Sequence, residues 1–207
     1  GISILDDNVI VDIDDFPDTS DWMKLKRQQN PTEMDFKGRT VSISDYFLDW
    51  ANTKVITYKN AKFSNYAMAG KIVTFENCSG TFQIYRTDSA FELYLKNSDM
   101  ELTSSSDMHR LNCSYSKFTH GYNRTIDIVN AENSTIDCAT ITSNASSVVC
   151  KNCDLKCGFV ANSIKLTNCD CHQPITDHVN PYIVGCTIHN NINQAVTTGN
   201  SIIFTIV

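Results

Sequence analysis

Eight segments of this chain superpose without gaps, each centred on the same small turn motif. They read VITYKNAKF, IVTFENCSG, LYLKNSDM, HRLNCSY, IVNAENSTI, VVCKNCDL, IKLTNCDC and YIVGCTI. Seven carry an Asn at the anchor, namely Asn60, Asn77, Asn97, Asn112, Asn133, Asn152 and Asn168, and Gly185 takes that place in the eighth. Successive anchors lie 17, 20, 15, 21, 19, 16 and 17 residues apart. A strand, an Asn turn and a loop of variable length, recurring in this way, is the pattern of a β-solenoid. Each repeat there buries its apolar side only by stacking on its neighbours.

The columns of this alignment predict which side chains face inward. Two residues before the anchor stand Tyr58, Phe75, Leu95, Arg110, Ala131, Cys150, Leu166 and Ile183. Four before it stand Ile56, Val73, Leu93, Met108, Val129, Val148, Ile164 and Pro181. Three after it stand Phe63, Gly80, Met100, Tyr115, Ile136, Leu155, Cys171 and Ile188. Alternate residues of a strand share a face, so these columns form the core and Arg110 is a misfit among them. The apolar phase slips by one at the anchor, which marks a corner. Asn suits a corner because it tolerates left-handed backbone angles, and stacked Asn amides can bond one another.

The chain has 207 residues and a net charge of −6, so one domain with a substantial core is expected and a nucleic-acid surface is not. No apolar run reaches the length of a membrane span. No signal peptide is seen, and Gly1 reads as the scar of a cleaved tag or the start of an excised fragment. Of nine Cys, five (Cys78, Cys113, Cys153, Cys169 and Cys186) fall one residue after the anchor, where Ser98, Ser134 and Ala61 stand in other repeats. The position therefore asks for a small residue, and Cys serves as a small hydrophobe. An odd count argues against a full disulfide framework, and reduced thiols point to assembly in a cytoplasm. Cys150, Cys153, Cys157, Cys169, Cys171 and His172 have the spacing of a rival zinc site, but Cys150 and Cys153 occupy core columns. Neither a metal nor a cofactor is expected. Of the N-x-S/T sequons, those at Asn77, Asn112 and Asn133 coincide with anchors and those at Asn123 and Asn144 do not; turn chemistry accounts for the first three.

Residues 1–35 differ from the rest and are expected to form a lead and cap, with the parallel β-helix over 36–207. Thr19 or Ser20 is placed to cap a short helix, DWMKLKRQQ, carrying Trp22, Met23 and Leu25 on one side and ended by Pro31. Such a helix would cover the open end of the solenoid; a linker folded against its side is the alternative. MDFKGRTVSIS then reads as strand, turn and strand, with Val41 and Ile43 inward.

The acidic lead, the short helix, the DFKGRTVSI element and the irregular coils of IxNC type together resemble the start of a pectate-lyase-like right-handed parallel β-helix, in the style of phage tailspikes and tail fibres. The strict six-residue step of left-handed helices is missing, and NSTIDCATIT is the only stretch similar to pentapeptide repeats. The resemblance implies an all-β fold and one of several functions. These are adhesion to a host bacterial surface polysaccharide, polysaccharide depolymerisation by hydrolysis or elimination, or a bacterial surface carbohydrate-active role. It also implies a homotrimer in a virion tail, assembled in the host cytoplasm. The pectinase-type motifs are missing; THGY at 119–122 lacks its partners. Chemistry must then come from outward columns. There, Glu92 with Tyr94 and Asp107 with His109 are expected side by side on adjacent coils. Glu92 and Asp107 are candidates for an acid and a nucleophile, and all four for sugar contact, with Tyr94 as the platform. Asp154, Asp170, His172, Asp177 and His178 form a second patch, in which Asp154 and Asp170 share a column and could hold a cation or be solvated. Val55, Ile72, Ile128 and Val149 also fall in outward columns, where trimer packing would cover them.

Overall fold

A computed structural model describes residues 6, 8–42, 55–68, 70–84, 90–121, 124–138, 140–177, 181–189 and 201–206. The side chains of 124, 140–146 and 201–206 are not described. All described strands join one sheet by parallel pairing, wound into a β-solenoid. Strands before the corner (Val55–Lys59, Ile72–Glu76, Glu92–Lys96, Met108–Ser114, Arg124–Glu132 and their successors) stack in one run. Strands after it (Lys62–Met68, Ser79–Ile84, Asp99–Leu102, Lys117–His120, Thr135–Cys138 and onward) stack in another.

The corner is as the sequence predicts, with one correction. Asn60, Asn77, Asn97, Asn133, Asn152 and Asn168 all have φ between +47° and +55°, and Gly185 has φ +67°. The fourth corner is Tyr115 (φ +48°), not Asn112. Its amide donates to Glu132 O (3.1 Å), just as Asn97 N donates to Ser114 O (3.1 Å) and Asn133 N to Lys151 O (3.0 Å). The register therefore slides by three residues in this coil, and the irregular spacings of 15 and 21 become two of 18. The slide removes the Arg110 anomaly. Cys113, paired with Leu95 and Ala131, takes the core place two before the corner, Leu111 takes the place four before it, and Arg110 moves outward opposite Glu92.

The inward columns form one continuous core. Phe75, Leu93, Leu111, Phe118, Val129, Ile136, Val148, Leu166 and Ile183 are all fully buried. Aromatics concentrate in the first coils. Tyr58 stacks on Phe75 at 5.6 Å between ring centroids, and Phe63 meets Tyr66 at 4.9 Å. Each such ring contributes about 1.5–3 kcal/mol by leaving water.

The residue just after the corner does more than fill space. Ser98 Oγ donates to Lys96 O (2.8 Å) and accepts from Cys78 N (3.0 Å). Ser116 and Ser134 repeat the motif: Ser98 N donates to Ser116 Oγ and Ser116 N to Ser134 Oγ, both at 3.1 Å. Cys153 and Cys169 imitate it, with thiols donating to Lys151 O (3.3 Å) and Thr167 O (3.4 Å). After Ala61 in its first place, the column thus holds small side chains that can donate and accept, Ser in the middle coils and Cys at Cys78 and in the later ones. Cys113, expected in this column, yields its place to Ser116. All nine cysteines are buried and none is in a disulfide.

A helix, Thr19–Gln28, closes the amino-terminal end. Its cap is Asp18 rather than Thr19 or Ser20: the Asp18 carboxylate accepts from Ser20 N (2.9 Å) and Ser20 Oγ (2.7 Å), so the two predicted caps already lie in the first turn. Trp22 and Met23 are buried, and Leu25 is half-buried. Trp22 packs edge-on against Phe36 at 5.3 Å and donates from Nε1 to Val11 O. Arg39 ties the lead to the first coil by donating to Phe16 O and to Ile13 O. Strand Glu33–Asp35 already pairs with Val55–Lys59, so solenoid pairing begins at residue 33. Lys37 (φ +50°) and Gly38 (φ +86°) make the turn to Thr40–Val41, and Val41 is buried. Ile43 lies outside the described residues.

Candidate functional site

Outward side chains of the strands before the corner stand about 4.8 Å apart from coil to coil, so register decides which of them meet. Register pairs Glu92 with Arg110, and Tyr94 with Asn112, which in turn pairs with Asn130. Arg110 Nε lies 3.3 Å from Glu92 Oε1, and Tyr94 Oη donates to the same oxygen at 3.4 Å. With the Asn130 amide oxygen turned toward it, Arg110 Nη1 donates there at 3.0 Å. Burial, with the Glu92 carboxylate beside it, pushes the Tyr94 phenol up. A groove of about 480 Å³ runs beside these residues, lined by Tyr94, Asn112, Asn130, Val149, Glu132 and Lys151.

Glu92 and Tyr94 therefore stay together as expected, but their neighbours are Arg110 and Asn112. Asp107 and His109 are not their column partners, because the slide of three residues displaces both. Asp107 accepts from Thr125 N (3.1 Å), and His109 Nδ1 lies 3.1 Å from Asp127 Oδ2. Arg110, Asn112 and Asn130 are the members of this face that the alignment missed. The signal was present in the sequence: one Arg in an otherwise apolar column, between two anomalous spacings.

A second groove, of about 740 Å³, follows the corner itself. It is lined by Asn60, Asn77, Asn97, Tyr115 and Asn133, with Lys62, Asp99 and Lys117 beyond. Asn77 Nδ2 donates to Asn60 Oδ1 (2.8 Å) and Asn60 Nδ2 to Asp35 Oδ1 (3.0 Å), so the first amides form a ladder. Tyr115 stands 66 % exposed in this groove. An L-residue other than Asn or Asp has no local hydrogen bond to offset left-handed backbone, which costs it roughly 1–2 kcal/mol. At this corner that strain holds an aromatic ring out over a polar channel.

The second acidic patch is rearranged. Asp177 is not on the surface: it is 3 % exposed and its carboxylate accepts from Ile164 N at 2.8 Å. His178 lies outside the described residues. His189, which the alignment missed, replaces them. Cys171 pairs with Ile188, so the following residues, His172 and His189, are neighbours on adjacent coils. Their rings stack at 4.1 Å with 18° between planes. His172 Nε2 lies 2.8 Å from Asp154 Oδ1 and 3.4 Å from Asp170 Oδ2, and His189 Nε2 lies 2.6 Å from Asp170 Oδ1.

Of the apolar residues in outward columns, Val55 (52 %) and Val149 (40 %) are exposed, as is Tyr182. Ile72 and Ile128 are half-buried. Among the described residues, no helix is long and apolar enough to cross a membrane.

Comparison with protein-family models, with curated proteins and with solved structures gave no match.

Proposed function

We propose that this solenoid recognises a host bacterial surface polysaccharide, as the adhesive part of a phage tail spike or fibre. The observation that carries the reading is Tyr115, an aromatic ring held exposed, at a cost in backbone strain, in a channel of amides and charges crossing several coils. Strained backbone at a position that other coils fill with Asn is the mark of a residue retained for something other than stability. Aromatic faces stack on sugar rings, while amides and carboxylates satisfy hydroxyls, and a channel perpendicular to the strands suits a linear chain. The Tyr94 face, with Glu92, Arg110, Asn112 and Asn130, offers the same chemistry one corner away.

Binding is preferred to hydrolysis because the two candidate acids are otherwise engaged. Glu92 is ion-paired with Arg110, and Asp107 holds the Thr125 amide. A trimer fits the exposed Val55, which lies outside the Tyr94 groove and which a second and third copy would cover.

The test is binding of the full chain to a panel of bacterial capsular and lipopolysaccharide glycans, with product sizing alongside. Tyr115→Asn or Tyr94→Ala should weaken binding by roughly 1–3 kcal/mol, the scale of one aromatic contact. Unaltered affinity in both variants, or no binding across the panel, refutes the reading. Shortened glycan chains would replace it by a depolymerase.

A further inference from the structure

Asp170, His172 and His189 present ligating atoms that all lie within 4.8 Å of one another. They sit on consecutive coils beyond those that line the Tyr115 groove, and the glycan reading makes no use of them. We propose that these three residues form a binding site for a divalent transition-metal cation of the zinc, cobalt or nickel type.

The donor set selects the class of ion. Two imidazole nitrogens with carboxylates suit borderline transition metals, whereas calcium and magnesium take oxygen ligands. Spacing also fits. Ligands about 2.0–2.1 Å from a tetrahedral ion stand roughly 3.3 Å from one another. The separations found are 2.6 Å for His189–Asp170 and 3.4 Å for His172–Asp170, and all three ligating atoms lie within 4.8 Å of one another. Small side-chain rotations would therefore admit an ion without moving the backbone.

The arrangement itself calls for a positive charge. Asp154 and Asp170 are paired in register, so two carboxylates are stacked on one column, a like-charge pairing that is unfavourable in a parallel ladder. Both imidazoles turn Nε2 toward these carboxylates while their rings lie nearly parallel. A cation shared by His172, His189 and Asp170 satisfies both nitrogens and lies beside the second negative charge, Asp154. Side-chain exposures of 32–47 % leave the site open to solvent, and hence to entry of the ion.

The experiment uses the full chain stripped with a chelator and titrated calorimetrically with Zn²⁺, Co²⁺ or Ca²⁺ alone. One equivalent of Zn²⁺ or Co²⁺ should bind per chain and raise the melting temperature, with Ca²⁺ much weaker. The Co²⁺ complex should show ligand-field bands without the thiolate-to-cobalt charge transfer that a cysteine site would give. His189→Ala and Asp170→Asn should each weaken binding by at least about 10–100-fold, the effect of losing even an outer partner of a metal ligand. Their circular dichroism in chelator should match that of the parent chain. Four results would overturn the proposal: no saturable binding, Ca²⁺ as tight as Zn²⁺, a thiolate band, or variants that bind like the parent. Should a variant unfold, the Co²⁺ spectrum and the Ca²⁺ comparison on the parent chain still decide.

Discussion

Replacing Tyr115 by Asn tests the link between corner geometry and function. Among the described residues the other corners are Asn or Gly, apart from the first coil, which turns through Lys37 and Gly38. Tyr at φ +48° bears roughly 1–2 kcal/mol of left-handed strain that Asn largely escapes. The new amide would also stand between Asn97 and Asn133 and could extend the ladder seen at Asn60 and Asn77, adding about 0.5–1.5 kcal/mol per bond made. Against this, the ring is 66 % exposed, so its removal forfeits roughly the remaining third of its burial. At ~25 cal/mol per Å² that loss is about 1.3–2 kcal/mol. The balance is a stabilisation of about 1 kcal/mol, a rise of roughly 2–4 °C in melting temperature for a chain of this size. Calorimetry and urea unfolding would measure it, and glycan binding should fall in the same variant. A Tyr115→Asn chain less stable than the parent would refute the strain argument. A more stable chain that binds as well as the parent would refute the functional one. Gain of stability with loss of function is the trade expected of a residue kept for binding.

Three further outcomes are expected. Gly80→Ala should destabilise by about 3 kcal/mol or more, because a Cβ there would lie 1.8 Å from Phe63 O at φ +116°. Gly38→Ala, at φ +86° with nothing within 4 Å, should cost only about 1 kcal/mol, and equal losses in urea unfolding would sink the comparison. Ser98→Ala should cost about 1–3 kcal/mol by orphaning the buried Cys78 amide, whereas Ser98→Cys should cost less, as Cys fills the same place in later coils. Burial pushes the Cys78 thiol up to about 11, so native protein at pH 8 should resist alkylation there. All nine thiols should react only after denaturation, and rapid labelling of the native chain, read by mass spectrometry, would contradict the packing.

The periodic pattern alone determined the solenoid, the corner and most of the core. Apolar columns and a turn residue are local properties, repeated often enough to be read without a structure. Trp22 as an end cap was legible for the same reason: an amphipathic helix beside a stack with an open end has one apolar surface to cover. Where two local solutions compete, the sequence could not choose. In HRLNCSYSKF the dipeptide Asn112-Cys113 imitates a corner, yet Ser116 and Phe118 satisfy the Ser ladder and the core column that follow Tyr115. Hydrogen bonds to the coils on either side select the second register, and with it the partners of Glu92, the displacement of Asp107 and His109, and the outward turn of Arg110. The convergence of His172 and His189 on Asp170 was equally hidden, since it depends on which residue of one coil stands over which residue of the next. Side chains distant in sequence meet through the stacking of coils, and that registration is set by inter-coil hydrogen bonding and core packing together, which only the tertiary structure decides.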